Sequence, residues 1–169
     1  MGGALNIRLA SALDIQALPE IERSAALAFA DIPDLAWVVE LPLIPESEHS
    51  IAVEEKTCWV AELDGELVGF LLATKSGREL YIRELSVSST EQRKGVGTDL
   101  INAVIEASRD AVERVTLTTF RDVPWNRPFY ERLGFSVVVA PTEKLLRELV
   151  REKNAGLPIH RRCAMEMVL

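Results

Sequence analysis

The stretch QRKGVGTDL, residues 92–100, lies between a strand-like run, Glu79–Val87, and a long helix-like run. A glycine-rich turn that leads into a helix N-terminus directs several backbone N–H groups at one point, and the helix dipole adds positive potential there. The stretch therefore predicts a binding site for a phosphate-like anion. The helix itself is predicted by apolar residues at 3.6-residue spacing, namely Val96, Leu100, Ile101, Val104 and Ile105.

Two glycines and two cations give this turn its binding character. Gly95 and Gly97 lack a β-carbon, so a pyrophosphate can approach the backbone closely, and Arg93 and Lys94 add positive charge at the rim. Other phosphate motifs fit less well, since a dinucleotide fingerprint needs glycine or alanine where Leu100 stands and no Walker A sequence occurs. Taken alone, the stretch also allows an ordinary loop with glycines at its turn.

The rest of the chain alternates between strand and helix patterns. Asp64-Gly65, between strand-like residues 57–63 and 66–74, is a strong hairpin signal. An early meander followed by β-α-β predicts an α/β (α+β) fold with a mixed, mostly antiparallel sheet of about seven strands and helices on both faces. Further elements are expected at 5–9, 114–120, 134–140 and 164–169 for strands, and at 11–30, 45–56, 124–133 and 142–153 for helices.

Composition restricts the class of protein. The 169 residues, 48% of them hydrophobic, are expected to form a single domain, 1–169. A formal net charge of −7 gives no reason to expect nucleic acid as a partner. Apolar runs are too short to span a bilayer, and the first ten residues have no signal-peptide core, so no membrane association is expected.

The cysteines and histidines predict neither disulfides nor metal. Cys58 and Cys163 form no CxxC pair and are expected to be buried and reduced, which suits a cytoplasmic protein. His49 and His160 lack the spacing of metal ligands, so no metal site is predicted.

A second motif, WNRPFYERLGF at residues 125–135, follows the first at an interval of about thirty residues. Each motif is weak alone, but the two in this order are specific. Together, Gln92–Gly97 and Asn126–Phe135 resemble the GNAT family, the Gcn5-related N-acetyltransferases, which use acetyl-coenzyme A. The resemblance extends over nearly the whole chain and implies an acetyl-CoA-dependent acyltransferase that acts on an amine.

The resemblance also implies which residues bind acetyl-CoA. Backbone amides of the loop hold the pyrophosphate, and an amide at the end of the strand before it faces the thioester oxygen. That strand splays from the next, and the pantetheine arm lies in the gap, with an asparagine hydrogen-bonded to it. A basic residue within the second motif reaches the 3′-phosphate. In this sequence the matching residues are Leu85, Ser86, Val87, Gln92, Arg93, Lys94, Gly95, Val96, Gly97, Thr98, Asn126 and Arg132.

Two residues are candidates for proton transfer. Tyr130 matches the family's general acid, and a phenol of pKa near 10 can protonate a departing thiolate of pKa about 8.5. Glu84 is a candidate base for the attacking amine. The bland alternatives stay open: Tyr130 as a core aromatic, Asn126 as a helix cap, and Glu84 as a strand charge paired with an arginine.

The sequence restricts the identity of the amine acceptor and the oligomeric state less closely. The segment from about Ala26 to Lys56 corresponds to the acceptor wall, and its mixture of apolar and acidic residues suits a small-molecule or a protein amine. A non-catalytic acyl-CoA-binding module is the alternative to an enzyme. Relatives often pair through their C-terminal strand or helix, and the apolar end Ala164–Leu169, if it were an uncovered edge, would invite pairing. A homodimer is therefore predicted.

Overall fold

The computed structural model describes residues 3–169; Met1 and Gly2, the first residues of the predicted domain, lie outside them. Within the described part, the strands are β1 (Leu5–Leu9), β2 (Cys58–Leu63), β3 (Glu66–Ser76), β4 (Glu79–Val87), β5 (Arg114–Phe120), β6 (Ser136–Val137) and β7 (Arg162–Val168). The α-helices are α1 (Leu18–Ala26), α2 (Glu46–Glu54), α3 (Val96–Ser108), α4 (Arg127–Arg132) and α5 (Glu143–Asn154).

The strands of the described chain form one seven-stranded sheet in the order β1-β2-β3-β4-β5-β7-β6. β4 and β5 are parallel, whereas β1/β2, β2/β3, β5/β7 and β6/β7 are antiparallel. The predicted mixed, mostly antiparallel sheet is confirmed. The predicted hairpin is confirmed as well, because Asp64 and Gly65 both have positive φ, 51° and 85°, as a tight β2–β3 turn requires.

The chain divides into two compact units. The first runs to Ala73 and resumes at Glu84–Glu106; the second contains Thr74–Arg83 and Ala107–Leu169. Each unit has its own packing.

In the first unit, helices cover both faces of the strands. One face of β2 and β3 packs against α1 and α2 in a cluster of Leu18, Ile21, Ile44, Ala52, Cys58, Val60, Phe70 and Leu72. Neighbouring residues of a strand point to opposite faces, so Gly69 faces away from that cluster. A β-carbon at Gly69 would lie 3.3 Å from both Val96 and Leu100 of α3 and 3.1 Å from the Ser86 carbonyl oxygen. The start of α3 therefore packs closely on β3 at this glycine.

In the second unit, α5 lies over β4, β5 and β7 with both apolar and polar contacts. Leu145 packs with Tyr81 and Ala164. Beside them, the Arg162 guanidinium donates two hydrogen bonds, of 2.8 and 3.1 Å, to the buried Glu152 carboxylate, which Thr118 also contacts. Because a buried charge is costly unless it is paired, this ion pair fixes α5 in register with β7.

Two expectations about the C-terminal third were wrong. β6 is confined to Ser136–Val137 instead of residues 134–140, since its chain leaves the sheet after Val138 donates to the Ala164 carbonyl. β7 is an interior strand, not an uncovered edge: it pairs with β5 along residues 162–168 and with β6 at Met165 and Glu166. The edge argument for a homodimer therefore fails, and the homodimer itself stays a prediction.

The predicted helix over residues 11–30 is divided into three pieces. A 3₁₀ turn, Ala12–Ala17, precedes α1, and a second, Leu27–Phe29, follows it. Pro19 lies in the first turn of α1, where its missing N–H costs nothing. The proline thus starts the α-helix instead of interrupting one.

Asp14 joins this helical region to the sheet. Its carboxylate accepts the Ser11 backbone N–H at 2.7 Å and two bonds from Arg8 of β1, at 2.8 and 3.0 Å. Arg8 also donates to Glu62 of β2 at 3.0 Å. The Arg8 guanidinium, helped by the Ser11 N–H, lowers the pKa of Asp14 below its usual range.

Asp14→Asn should destabilise the fold by about 1–3 kcal/mol at pH 7, because charge-assisted hydrogen bonds to a largely buried carboxylate are lost. The pH dependence follows from the lowered pKa. Asp14 stabilises the folded state fully above the unfolded-chain pKa of about 3.9, and that contribution disappears as the pH falls through the folded value. Urea unfolding of both proteins, repeated at intervals of about one pH unit between about pH 2 and 7, measures the stability loss and its pH dependence.

The control is Asp110→Asn, which changes an exposed carboxylate. It should leave the free energy of unfolding within about 0.5 kcal/mol of wild type. Equal acid sensitivity in the Asp14→Asn and wild-type proteins would contradict the assignment.

Candidate functional site

The loop before α3 has the backbone conformation of an anion-binding turn. Arg93 and Gly95 both lie in the left-handed region, with φ of 64° and 89°. The Asp99 N–H bonds to the Gly95 carbonyl at 3.0 Å and begins the helical hydrogen bonding. The N–H groups of the preceding first turn, residues 96–98, have no intrahelical partner, because the opening N–H groups of an α-helix never do. They are the groups that an anion can bind.

Glycine is required at position 95 by the backbone rather than by crowding. A β-carbon there would meet no atom within 4 Å, but its φ of 89° is one that L-residues rarely adopt. Arg93 adopts a left-handed φ without being glycine, which is uncommon. Two left-handed residues in a span of three turn the loop sharply into α3.

The charges of the loop lie at its surface. Arg93 and Lys94 are both exposed, and the Lys94 ammonium lies 3.3 Å from the Glu91 carboxylate. An exposed ion pair of this kind contributes little to stability. Arg93 and Lys94 thus place two cationic side chains on the exposed surface of the loop, and their contact with an anion stays a prediction.

Gln92 is half-buried, and its side chain is hydrogen-bonded to two backbone carbonyls. Its side-chain amide donates to the Val87 carbonyl at the end of β4, at 2.9 Å, and reaches the Ala25 carbonyl of α1 at 3.4 Å. The side chain thus holds the loop to its neighbours within the first unit.

The end of β4 brings three predicted residues together with Glu84. Ser86 is buried, and its hydroxyl donates to the Glu84 carboxylate at 3.0 Å. Leu85 and Val87 are half-buried, and the Val87 carbonyl accepts from Gln92. All of them, with the loop, lie in the first unit.

The second motif lies in the second unit and forms α4 with its flanking turns. Asn126 occupies the N-cap position, and its carbonyl accepts the Tyr130 N–H at 3.1 Å. Its side chain makes no capping hydrogen bond with the described chain. The capping alternative for this side chain is therefore not what the structure has.

Tyr130 is half-buried in an aromatic group. Its ring meets Phe129 and Phe135 edge-on, with centroid separations of 5.0 and 5.7 Å. Gly134, with φ of 104°, ends the α4 region, and the Phe135 N–H returns to the Tyr130 carbonyl at 3.0 Å. Arg132 is exposed in the last turn of α4. The motif's aromatic spacing thus fixes the ring of the candidate acid.

Sequence reasoning missed two residues that shape this region. Ser24 of α1 accepts the Ser89 N–H at 2.9 Å and bonds to the Ser89 hydroxyl at 3.1 Å, a long-range contact with no local signal. Gly69 lets α3 approach β3, and an isolated glycine inside a strand pattern was a signal for close approach.

No group of three or more potential metal-ligating side chains occurs among residues 3–169. No helix in that range is long and apolar enough to cross a membrane.

Comparison with known proteins identifies the family. Residues 25–135 match the model of the Acetyltransferase (GNAT) family and include both motifs. The chain belongs to the GNAT family. Probable N-acetyltransferase camello from Xenopus tropicalis is 34% identical over 93 residues, which are 52% of this chain and 42% of that protein. The chain thus aligns with less than half the length of this curated relative.

Solved structures share the GNAT fold over nearly the whole chain. The PaiA N-acetyltransferase from Thermoplasma acidophilum, in complex with coenzyme A, superposes with a TM-score of 0.72 at 15% identity, covering 98% of this chain and 99% of that one. The ribosomal-protein-S18-alanine N-acetyltransferase from Escherichia coli gives 0.69 at 17% identity, with 98% and 94% covered. At such identities the likeness establishes the fold alone.

Proposed function

We propose that this GNAT protein transfers the acetyl group of acetyl-CoA to an amine acceptor by direct attack. The observation that carries the proposal is the left-handed turn at Arg93 and Gly95. This turn immediately precedes α3 and lies within residues 25–135, which match the family model. The coenzyme A complex of the PaiA neighbour supports the choice of donor.

The loop residues Gln92–Thr98 would hold the donor. The N–H groups of Val96, Gly97 and Thr98 suit a pyrophosphate, because they point outward at the positive end of the α3 dipole. Arg93 and Lys94 would add charge at the rim, and Gln92 would act by shaping the loop. Leu85, Ser86 and Val87 would pair with the pantetheine arm and offer an amide to the thioester oxygen. Asn126 and Arg132 are proposed to bind the pantetheine and the 3′-phosphate.

The chemistry needs two proton transfers. Attack of a neutral amine on the thioester places negative charge on the carbonyl oxygen, which a backbone N–H of β4 would stabilise. The C–S bond then breaks, and Tyr130 would protonate the coenzyme A thiolate. Glu84, oriented by the Ser86 hydroxyl at 3.0 Å, would accept the amine's proton.

Mixing the protein with acetyl-CoA and a panel of small-molecule and peptide amines tests the activity, with free thiol as the readout. Acetylation of at least one amine is expected. Binding of acetyl-CoA without thiol release from any amine would instead favour a non-catalytic acyl-CoA-binding module. The panel also assigns the acceptor to the small-molecule or the protein class.

Gly95→Ala should weaken coenzyme A binding at least about tenfold, because a hydrogen bond to a charged group contributes about 1.5–3 kcal/mol and the loop would lose its present turn. The left-handed conformation should also cost about 1–2 kcal/mol of folding stability. Calorimetric titration and urea unfolding measure the two effects.

Gly65→Ala is the matched control, since Gly65 has nearly the same φ, 85°, and equally open space around its β-carbon position, but lies in the β2–β3 turn. It should show the same stability loss with unchanged coenzyme A affinity. Equal affinities in the two variants would remove the loop from the binding site.

Tyr130→Phe keeps the ring between Phe129 and Phe135 and removes only the hydroxyl. General acid catalysis contributes about 10²–10⁴-fold, so kcat should fall by about that factor with coenzyme A affinity nearly intact. Pre-steady-state acetyl transfer measures the chemical step even if product release limits turnover.

Tyr81→Phe serves as the control for loss of a tyrosine hydroxyl. Tyr81 is buried in the second unit with its hydroxyl 3.0 Å from Thr118, and it has no proposed role in the reaction. This variant should lose stability and keep its rate of acetyl transfer. Full transfer by Tyr130→Phe would overturn the assignment of the acid.

Glu84→Gln should reduce activity near neutral pH and regain part of it as the pH rises, because a deprotonated amine needs no base. The measurement is kcat/KM against pH for wild type and variant. A variant profile parallel to wild type would leave Glu84 as a strand charge only.

A further inference from the structure

We infer that Ser24 and Gln92 are positioning residues that couple the cofactor loop to the acceptor-side segment, defined here as Leu27–Glu40. The inference rests on the proposed function, since it takes residues 92–98 as the coenzyme A loop and residues 27–40 as part of the acceptor wall that the family resemblance implies. It assigns to two side chains a role that neither motif predicts: transmission of cofactor binding to the wall where the amine docks.

The contact between the loop and α1 is built from side chains. The Ser24 hydroxyl accepts the Ser89 N–H at 2.9 Å and lies 3.1 Å from the Ser89 hydroxyl. Ser24 thus contacts the 3₁₀ turn Ser89–Glu91 at its first residue. Arg93, two residues after this turn, has a left-handed φ and begins the turn of the loop. Gln92 adds the second connection, because its amide bridges the Val87 and Ala25 carbonyls.

Ser24 and Ala25 belong to the last turn of α1, which ends at Ala26. The acceptor-side segment follows at once with the 3₁₀ turn Leu27–Phe29. The loop and the start of the segment therefore share contacts with the last turn of α1.

The acceptor-side segment has no regular α-helix or strand. Its backbone is held by hydrogen bonds that reach only three residues, at Ala30, Ile32, Leu35 and Val38, instead of by a regular α-helix. Of its fully described side chains, Leu35 alone is buried. Segments with so few buried contacts open locally at small free-energy cost, so a modest change at their anchor alters how often they open.

The consequence is reciprocal coupling between the two ligands. Coenzyme A that orders the loop would steady the end of α1 and reduce opening of the segment, and an amine that orders the segment would raise coenzyme A affinity by the same factor. One neutral hydrogen bond changes an equilibrium by a factor of about 2 to 12, and this is the size expected for each connection.

Hydrogen exchange with and without saturating coenzyme A tests the coupling without any acceptor or turnover. In wild type, coenzyme A should slow amide exchange both in residues 92–98 and in residues 27–40. In Ser24→Ala, it should still slow exchange in 92–98, while the slowing in 27–40 should fall by a factor of about 2 to 12. Ser24→Thr keeps the hydroxyl and should restore it, and Gln92→Leu should reproduce the loss.

The readout is the difference that coenzyme A makes, not the exchange rate itself. A merely structural role for Ser24 would speed exchange in 27–40 equally with and without ligand and leave that difference unchanged. Coupling is refuted if wild type shows slowing in 92–98 alone, or if both Ser24→Ala and Gln92→Leu keep the full ligand-dependent slowing in 27–40. If coenzyme A slows exchange in neither region of wild type, the proposed function fails instead.

Discussion

Close packing of α3 on β3 at Gly69 is the constraint on which the candidate site depends. A β-carbon there would lie 3.3 Å from both Val96 and Leu100 and 3.1 Å from the Ser86 carbonyl oxygen, so a larger residue would force these neighbours to shift by a few tenths of an ångström. The N-terminus of α3 is thereby held beside the strand end that carries Ser86 and Glu84.

Within the loop, backbone and side chains have separate tasks. The backbone, turned by Arg93 and Gly95, presents N–H groups outward, while the Gln92 side chain and the Ser24–Ser89 contact hold the loop from inside. The amides need no charge of their own to attract an anion, since the helix dipole supplies positive potential. A net charge of −7 is therefore compatible with the anion site proposed at this loop.

Polar networks under the sheet fix register in both units. In the first, Asp14 connects the start of the helical region to β1 through Arg8; in the second, Glu152 connects α5 to β7 through Arg162. A buried carboxylate that loses its partner is strongly destabilising, so each network disfavours alternative alignments of its helix. Both serve the scaffold and are separate from the residues proposed for chemistry.

Local sequence patterns predicted the turns and helices whose geometry depends only on residues close together in the chain. The Asp64-Gly65 turn, the Ser11–Asp14 helix start and the spacing of α3 were all predictable, because turn geometry and helix periodicity are written within a few residues. The two motifs likewise predicted the family, since their order and separation are properties of the chain alone. The mixed sheet followed from the sequence of strand and helix patterns.

Other features depended on partners distant in the chain. β6 shrank to two residues, and β7 became interior because it pairs with β5 on one side and β6 on the other; such pairing between distant segments, not local propensity, decides which strand lies at an edge. The Gln92 amide turned inward, and Ser24 met Ser89 across 65 residues, because folding brought the end of α1 beside the loop. The sequence by itself determined the family, the element order and the position of the glycine-rich turn before α3. Only the tertiary structure decided which side chains shape that turn, because hydrogen bonds between distant residues have no periodicity to read.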